Sequence, residues 1–408
     1  MSEYALISLI SDQPVPNIMA VLQDDRDFKH LEFIVSSVVK KDDNGNTIVE
    51  YNPKYDRIYQ ATKEFFESRG HIVDRLPPVD PYNLQEVMNV CQQGIEKHKK
   101  LGHEVVLNIT GGTKLMSLPA YLCGLRNHVE SIYIESGKRS LITLPPPDEF
   151  NLMAGSNVLK TEEKSFDEER FCKIDVPTYI ALYGEKVKES QKLDEVDDKL
   201  VSQSLVIAQY YSLLRNYIRN LQAEMKPKRR KIQWPYSKRL EAITPDEEKA
   251  LEVFAEQNIL MWNTNQRELS LDRLQAEFLV FDGKWIEFFA LYQLTKSNLF
   301  HDVRGNITIE SSPGQWDVIL TVNATLVIVE CKSEANPSQH FGKINSMQRK
   351  LGGTYAKSFF VRSGMINENL NKLAKLYGIS RVISMEELPD LVKIVANELG
   401  LKHEDTDK

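Results

Sequence analysis

Cysteine is scarce in this chain. The four present, Cys91, Cys123, Cys172 and Cys331, lie far apart. They build neither a disulfide framework nor the close pairs of a zinc site, and a reducing cytoplasm is the expected location. Long apolar runs are missing as well. Nothing approaches the roughly 20 residues that a membrane span needs, so no membrane partner is expected. Met1 to Ile10 lacks the basic start and small-residue cleavage site of a secretory signal. The eight histidines, His30, His71, His98, His103, His128, His301, His340 and His403, form no ligand-spaced cluster along the sequence. Neither a Gly-x-Ser-x-Gly elbow nor a Walker A loop occurs, which argues against those hydrolase and nucleotidase classes. There is no surplus of positive charge. The net charge of -7 excludes a generally basic nucleic-acid binder, although it permits a local basic site.

The 408 residues are 42% hydrophobic and 27% charged, as in a globular protein of two or three domains. Over the first 150 residues, apolar runs at Ala5–Ile10, Leu31–Val39, His71–Leu76, Glu104–Ile109 and Ser131–Ile134 alternate with helical patterns such as Asp56–Arg69 and Leu84–His98. Strands alternating with helices predict a doubly wound parallel sheet. Pro145-Pro146-Pro147 marks the end of that unit. Residues 156–200 are charged and read as a linker with short helices. Leu205, Ala208, Tyr211, Leu214, Tyr217 and Leu221 then fall three or four apart, the spacing of a helix over 201–222. From Thr244 the order reads helix, strand, helix, hairpin and an α/β tail to about Glu398, with a frayed end at Lys402–Lys408. The expected division is 1–155, a helical linker over 156–240, and a second α/β domain over 241–408.

In the first domain, Val105 to Ile109 runs into Thr110-Gly111-Gly112-Thr113-Lys114 and then a helix. Backbone N–H groups at such a turn, with a helix N-terminus behind them, attract anions. The polar residues Ser11-Asp12-Gln13-Pro14 and Asn17 follow the first strand, and Ser36 and Ser37 follow the second. Asn108 ends the strand before the glycine turn, and Asp80-Pro81-Tyr82 follows the third strand. In a parallel sheet all of these reach the carboxyl edge, where ligands bind. Caps and turns explain Ser11 to Asn17, Ser36 and Ser37 equally well.

In the second domain the decisive stretch is Gln315 to Lys332, two β-rich runs around Asn323-Ala324. A two-residue loop there pairs Val322 with Thr325 and sets Asp317 opposite Glu330. Lys332, two residues on, shares a face with Glu330. Two facing carboxylates repel unless a cation intervenes, and hard oxygen ligands suit Mg2+ or Mn2+. Upstream, Glu287 sits among aromatics on a helix that follows Gly283 and needs a partner of its own. A cross-strand Glu–Lys ion pair, with Asp317 as a turn or cap residue, is the plainer alternative. Gln348 and Lys350 lie on a following helix, where they either reach a phosphate or face solvent. Lys226, Lys228, Arg229, Arg230, Lys231, Lys238 and Arg239 crowd one acid-free stretch with Trp234 and Tyr236 interleaved. That stretch suits a nucleic-acid backbone with base stacking, or a solvated loop.

These residues carry two resemblances. A helical Glu, then an Asp, then Glu-x-Lys on a hairpin resembles the PD-(D/E)xK restriction-endonuclease superfamily, with Gln315-Trp316 where a proline is common. The match makes Glu287, Asp317 and Glu330 metal ligands and Lys332 a catalytic amine beside the attacking water. Ser-Asp-Gln-Pro after strand one, together with Asn-x-Thr-Gly-Gly-Thr-Lys, resembles CARF domains, the Rossmann-like sensors of cyclic oligoadenylates. In that resemblance Ser11, Asp12, Gln13, Pro14, Asn17, Ser36, Ser37, Asn108, Thr110, Gly111, Gly112, Thr113 and Lys114 line the ligand site. Together the two halves resemble the CRISPR ancillary nucleases of type III systems, the single-CARF Can/Card group. The resemblance implies a homodimer that binds cyclic tetra-adenylate and, with Mn2+ or Mg2+, cleaves nucleic acid, single-stranded DNA or RNA or nicked duplex DNA. A nuclease that needs no activator, and a non-enzymatic nucleotide-sensing regulator, are the competing readings.

Overall fold

The computed structural model describes residues 3–41, 46–144, 161–333, 338–364 and 366–401. The triple proline and the tail from Lys402 lie outside the described residues. The chain divides into two compact units. One comprises Met1–Lys186 with Asn323–Thr325 and Lys350–Tyr355, and the other comprises Val187–Val322, Leu326–Arg349 and Ala356–Lys408.

The first unit runs β1 (Tyr4–Leu9), α1 (Val15–Gln23), β2 (Phe28–Ile34), β3 (Ser37–Lys41), β4 (Thr47–Tyr51), α2 (Pro53–Glu67), β5 (Ile72–Arg75), α3 (Leu84–Lys100), β6 (Glu104–Asn108), α4 (Lys114–Arg126), β7 (Glu130–Glu135), β8 (Ser140–Leu144), β9 (Glu162–Ser165) and α5 (Val176–Leu182). Its sheet has the order β5-β2-β1-β6-β7-β8-β9. The five strands from β5 to β7 are parallel, and β8 and β9 extend them in antiparallel fashion. The apolar run Leu31–Val39 divides in two. The chain leaves the sheet after Ile34, Ser37 donates its N–H to the Val79 carbonyl, and β3 pairs with β4. Helix starts are written locally. Asn52 caps α2 through the Lys54 N–H with Pro53 in the first turn, and Asn83 caps α3 through the Glu86 N–H. Leu9, Ile34, Val87, Ile95, Leu107 and Met116 belong to the core against which α3 and α4 pack. Strand order reverses around β1. The crevice beyond the carboxyl ends of β1 and β6 is therefore the switch point where open α/β sheets take ligands.

The second unit runs β10 (Val187–Gln191), α6 (Asp198–Met225), β11 (Tyr236–Arg239), α7 (Pro245–Glu256), β12 (Met261–Asn263), β13 (Glu268–Leu271), α8 (Arg273–Ala276), α9 (Lys284–Lys296), β14 (Asp302–Ile309), β15 (Ser312–Val322), β16 (Thr325–Lys332), α10 (Ser338–Leu351), β17 (Ala356–Arg362), α11 (Glu368–Leu376), β18 (Arg381–Ser384) and α12 (Leu391–Glu398). The main sheet has the order β10-β14-β15-β16-β17-β18. β14 is antiparallel to both β10 and β15, whereas β16, β17 and β18 run parallel. The charged stretch before residue 201 holds β9, α5 and β10. The helix expected over 201–222 spans Asp198–Met225 and buries Ile207, Tyr211, Leu214, Ile218 and Leu221. β16 is buried on both faces as far as Cys331, as strands covered on both sides are. Among the described residues, no helix is long and apolar enough to cross a membrane.

Candidate active site and ligand loop

Asn323 and Ala324 have φ values of 45° and 57°. Two successive left-handed residues are the signature of a type I′ two-residue hairpin loop, which joins β15 to β16 here. The hairpin brings Asp317, Glu330 and Lys332 together. Lys332 Nζ lies 2.7 Å from Asp317 Oδ2 and 3.0 Å from Glu330 Oε1. Asp317 Oδ2 also accepts the Cys331 N–H at 2.7 Å. Asp317 is 6% exposed and Glu330 1%. The Glu330–Lys332 ion pair of the plainer reading forms, but within β16 rather than across strands, and Asp317 lies inside β15 rather than at a turn or cap. Glu330 Oε2 is buried and has no hydrogen-bond partner among the described residues.

Glu287 arrives from α9. Gly283 starts that helix at φ 66°, and a Cβ there would lie 2.8 Å from the Ser333 Cβ. Only glycine permits both the backbone conformation and the close approach that seats α9 against the end of β16. Burial, with Asp317 beside it, pushes the Glu287 carboxyl up to about 9; Glu330 adds to this, and Lys332 and Lys284 oppose it. Burial and Asp317 also raise Glu330, against Lys332 and Lys343. Burial alone would lower Lys332, but Asp317 and Glu330 hold its ammonium well above the usual range. Lys332 thus bridges two of the three carboxyl groups, and burial biases the third, Glu287, toward its neutral form. A bare buried carboxylate oxygen beside a carboxylic acid suits a divalent cation on oxygen ligands.

A stability prediction follows from Glu287. Its carboxyl sits higher in the folded chain than the ordinary 4.5, so between these values the folded state binds more protons than the unfolded state. Stability must then fall as pH rises from about 4.5 to about 9, by at most about 1.4 kcal/mol per pH unit for this group. Thermal melts of metal-free protein at pH 6, 7 and 8 should show the decline, and Glu287→Gln should flatten it. An unchanged slope in the variant would assign the decline to other groups.

Two side chains near the hairpin were not anticipated from the sequence. His340 Nδ1 lies 4.0 Å from Glu330 Oε1. Lys343 sits over the Trp316 ring at 4.1 Å and donates to the Gln315 carbonyl at 2.9 Å. They lie three apart on α10, one face of a helix, and that spacing was the available signal. Gln348 reaches no free surface: it donates to the Ala356 carbonyl and accepts the Ser358 hydroxyl. Lys350 pairs with Glu185 at 2.8 Å. In the basic stretch, Lys226 donates to Ser333, Arg229 pairs with Asp282, and Lys238 pairs with Glu224. Trp234 meets Phe281 edge-on and packs against the core. Lys228, Arg230, Lys231 and Arg239 remain exposed.

In the first unit, the polar residues at the carboxyl edge separate into two groups. Asn17 and Asn108 are each 1% exposed. Asn17 donates to the Leu9 carbonyl, Asn108 donates to Asn17 Oδ1, and Thr110 closes onto Asn108 Oδ1 through both N–H and hydroxyl. Ser36 and Ser37 are buried as well, with the Ser36 hydroxyl on Met116 Sδ at 3.7 Å. Pro14 is buried at the start of α1. These residues shape the loop. Gly111 is held by sterics, since a Cβ there would stand 2.0 Å from the Leu9 carbonyl oxygen. Gly112 has φ 72°. Thr113 begins α4 without a side-chain cap, and its hydroxyl reaches the Pro81 carbonyl at 3.3 Å, which places the Asp80 loop at the same edge. Lys114 is exposed, Ser11 closes a turn with Gln13, and Asp12 pairs with Lys54. Gln13 Oε1 is buried without a partner among the described residues. The N–H groups of the α4 N-terminus and the Lys114 ammonium together make an anion-binding corner.

Comparison with known families agrees with both halves. Residues 5–163 match the Card1 CARF domain and residues 275–401 match the Card1-like endonuclease domain. The chain thus carries a Card1-type CARF domain followed by a Card1-like endonuclease domain. A search of the curated proteins found no match. Among solved structures, protein VC1899 from Vibrio cholerae is 18% identical with a TM-score of 0.64, and 97% of each chain is covered. Can2 from Sulfobacillus thermosulfidooxidans, in complex with cyclic tetra-adenylate, is 19% identical with a TM-score of 0.66 over 97% of each chain. A type III CRISPR defence DNA nuclease activated by cyclic oligoadenylate is 16% identical with a TM-score of 0.52. It matches 96% of this chain, which spans about half (52%) of that one. These likenesses establish the shared fold. The anion-binding corner therefore lies in the CARF domain and the carboxylate hairpin in the endonuclease domain.

Proposed function

We propose that this protein is a nuclease of type III CRISPR antiviral defence, switched on by a cyclic oligoadenylate, cyclic tetra-adenylate in the first instance. The observation that carries the reading is the charge imbalance at the hairpin. Asp317 and Glu330 supply more anionic oxygen than Lys332 neutralises, and Glu330 Oε2 is left bare. Asp317 and Glu330, with Glu287, hold Mn2+ or Mg2+. Such an ion, when bound, acidifies water and stabilises the leaving oxygen. Lys332, fixed by both carboxylates, orients the attacking water and offsets negative charge developing on the phosphorus. Lys343 adds positive charge beside the hairpin, and His340 places an imidazole on the Glu330 side. Lys228, Arg230 and Lys231 take the nucleic-acid backbone, single-stranded DNA or RNA or a nicked duplex.

In the CARF domain, Lys114, Thr113, the Gly111-Gly112 amides, Ser11, Asp12 and Gln13 face the activator, while Asn17, Asn108, Thr110, Ser36 and Ser37 hold the loop in shape. Two chains form the working unit. Leu115, Leu118 and Leu122 are exposed along α4, spaced as one helix face, and another copy of α4 would cover them. The activator then favours one of two arrangements of the dimer.

The test incubates the full chain with labelled single-stranded DNA, single-stranded RNA and supercoiled plasmid, with and without Mn2+ and cyclic tetra-adenylate. Cleavage should require both additions, and light scattering should give twice the mass of one chain. Lys114→Ala should move half-maximal activation to a roughly 10- to 100-fold higher activator concentration, the value of one charge-assisted hydrogen bond, with the saturated rate kept. Full cleavage without activator would favour the activator-independent nuclease, and activator binding without any cleavage would favour a regulator.

A further inference from the structure

Among the described residues, the three metal-ligating side chains whose donor atoms all lie within 4.8 Å of one another are not at the hairpin but at the opposite, amino edge of the CARF sheet: Glu3, His30 and His103. Spacing along the chain hides them. Glu3 precedes β1, His30 is the third residue of β2 and His103 precedes β6. Because β2, β1 and β6 are parallel neighbours, their starts converge. His30 Nε2 lies 2.9 Å and His103 Nε2 3.8 Å from the same Glu3 oxygen, Oε2. The two rings stack at 4.2 Å.

A second row of residues sets the protons. Glu32, buried on β2, accepts from Lys97 at 2.6 Å and from His98 Nε2 at 3.1 Å. A neutral imidazole that donates from Nε2 carries its lone pair on Nδ1. His98 Nδ1 lies 3.0 Å from His103 Nδ1, and with His98 in that tautomer the His103 Nδ1–H donates. The lone pair of His103 is thereby placed on Nε2, facing the Glu3 carboxylate and His30. A cation in place of the His30 Nε2 proton would meet the Glu3 carboxylate and both ring lone pairs at once. Carboxylate–histidine relays of this kind orient imidazoles on metals.

We propose that Glu3, His30 and His103 form a site for a borderline divalent metal, Zn2+ first, with the fourth position left to water. At Zn–N and Zn–O distances of about 2.0–2.2 Å, tetrahedral donors stand about 3.4 Å apart. The observed 2.9 and 3.8 Å bracket that value. The metal would clip together the starts of three adjacent strands. The glycine loop lies at the other end of the same strands, so the ion does not compete with an anion bound there.

The experiment uses untagged full-length protein dialysed against buffered Zn2+, with bound metal counted by mass spectrometry. Glu330→Gln serves as the background so that zinc at the hairpin is not counted. One zinc per chain is expected. His30→Gln and His103→Gln should each weaken it about 100-fold or more, and His98→Gln about 10- to 100-fold. Zinc should raise the melting temperature by several degrees in the parent and not in His103→Gln. X-ray absorption of the zinc-loaded parent, which needs no variant, should show two imidazole nitrogens at about 2.0 Å. Absent zinc, or zinc without imidazole in its shell, would overturn the proposal whether or not the variants fold. So would undiminished zinc in a His30→Gln, His103→Gln double variant whose melting in chelator matches the parent.

Discussion

Glu330→Gln should lose cleavage by about 1000-fold or more while its melting temperature holds or rises. The two readouts pull apart because the residue sits in a crowd of like charge. Glu330 is 1% exposed, shares Lys332 with Asp317, and helps keep the Glu287 carboxyl protonated. Glutamine keeps the shape and removes a buried charge that the fold holds at a cost, and such substitutions are often neutral or stabilising. Lys332→Ala behaves differently. It removes the bridging cation, leaves Asp317 and Glu330 uncompensated, and should lower both the rate, by about 100- to 1000-fold, and the stability. Were the cluster merely an ion pair that staples the hairpin, both variants would melt lower and both would cleave normally per folded molecule. Differential scanning calorimetry beside a cleavage assay separates the two accounts.

The second large effect belongs to Gly111. A methyl group there would overlap the Leu9 carbonyl, with its Cβ 2.0 Å from the oxygen. That oxygen also receives Asn17, which in turn holds Asn108 and so Thr110. Gly111→Ala should force the ends of β1 and β6 apart and cost about 1–3 kcal/mol, as overpacked interiors do. In a domain of this size that is roughly 2–12 °C of melting temperature. The anion-binding corner would open with it, and activator binding in calorimetry should weaken at least about 100-fold, more than for Lys114→Ala. Gly137→Ala is the control, because a methyl there meets only the Glu135 side chain at 3.2 Å. Equal affinities for Gly111→Ala and wild type would detach the glycine loop from the sensor.

Much of the fold and of the hairpin site is legible in the amino-acid order, and the parts that are not share a cause. The alternation of β1 to β7 with helices, the turn after β6 and the hairpin of β15 and β16 are local patterns, readable from periodicity and turn chemistry. Leu31–Val39 reads as one strand because hydrophobicity does not register that the backbone at Ser36 and Ser37 departs to meet Val79. Asn17 and Asn108 are polar residues at a ligand-binding edge, and only the fold reveals that their amides are spent on each other. Glu3, His30 and His103 are distant in the chain and adjacent in space, a consequence of parallel strand order that spacing rules cannot see. The basic stretch read as a stacking platform has its tryptophan packed against Phe281 instead.

The loop at Asn323-Ala324 also bears on which length changes the endonuclease domain can accept. Side chains on paired strands alternate between faces, so one residue inserted at this loop, if absorbed by sliding β16 along β15, would turn Glu330 and Lys332 to the face opposite Asp317. An insertion of two would restore the face but shift Glu330 along the strand from its partner. The left-handed conformation of both loop residues resists such slippage, since it closes the hairpin at one length only. This two-residue loop thus acts as a counting device for the carboxylates of the hairpin. Among chains descended from a common ancestor, gaps should collect in the longer connections and spare this one.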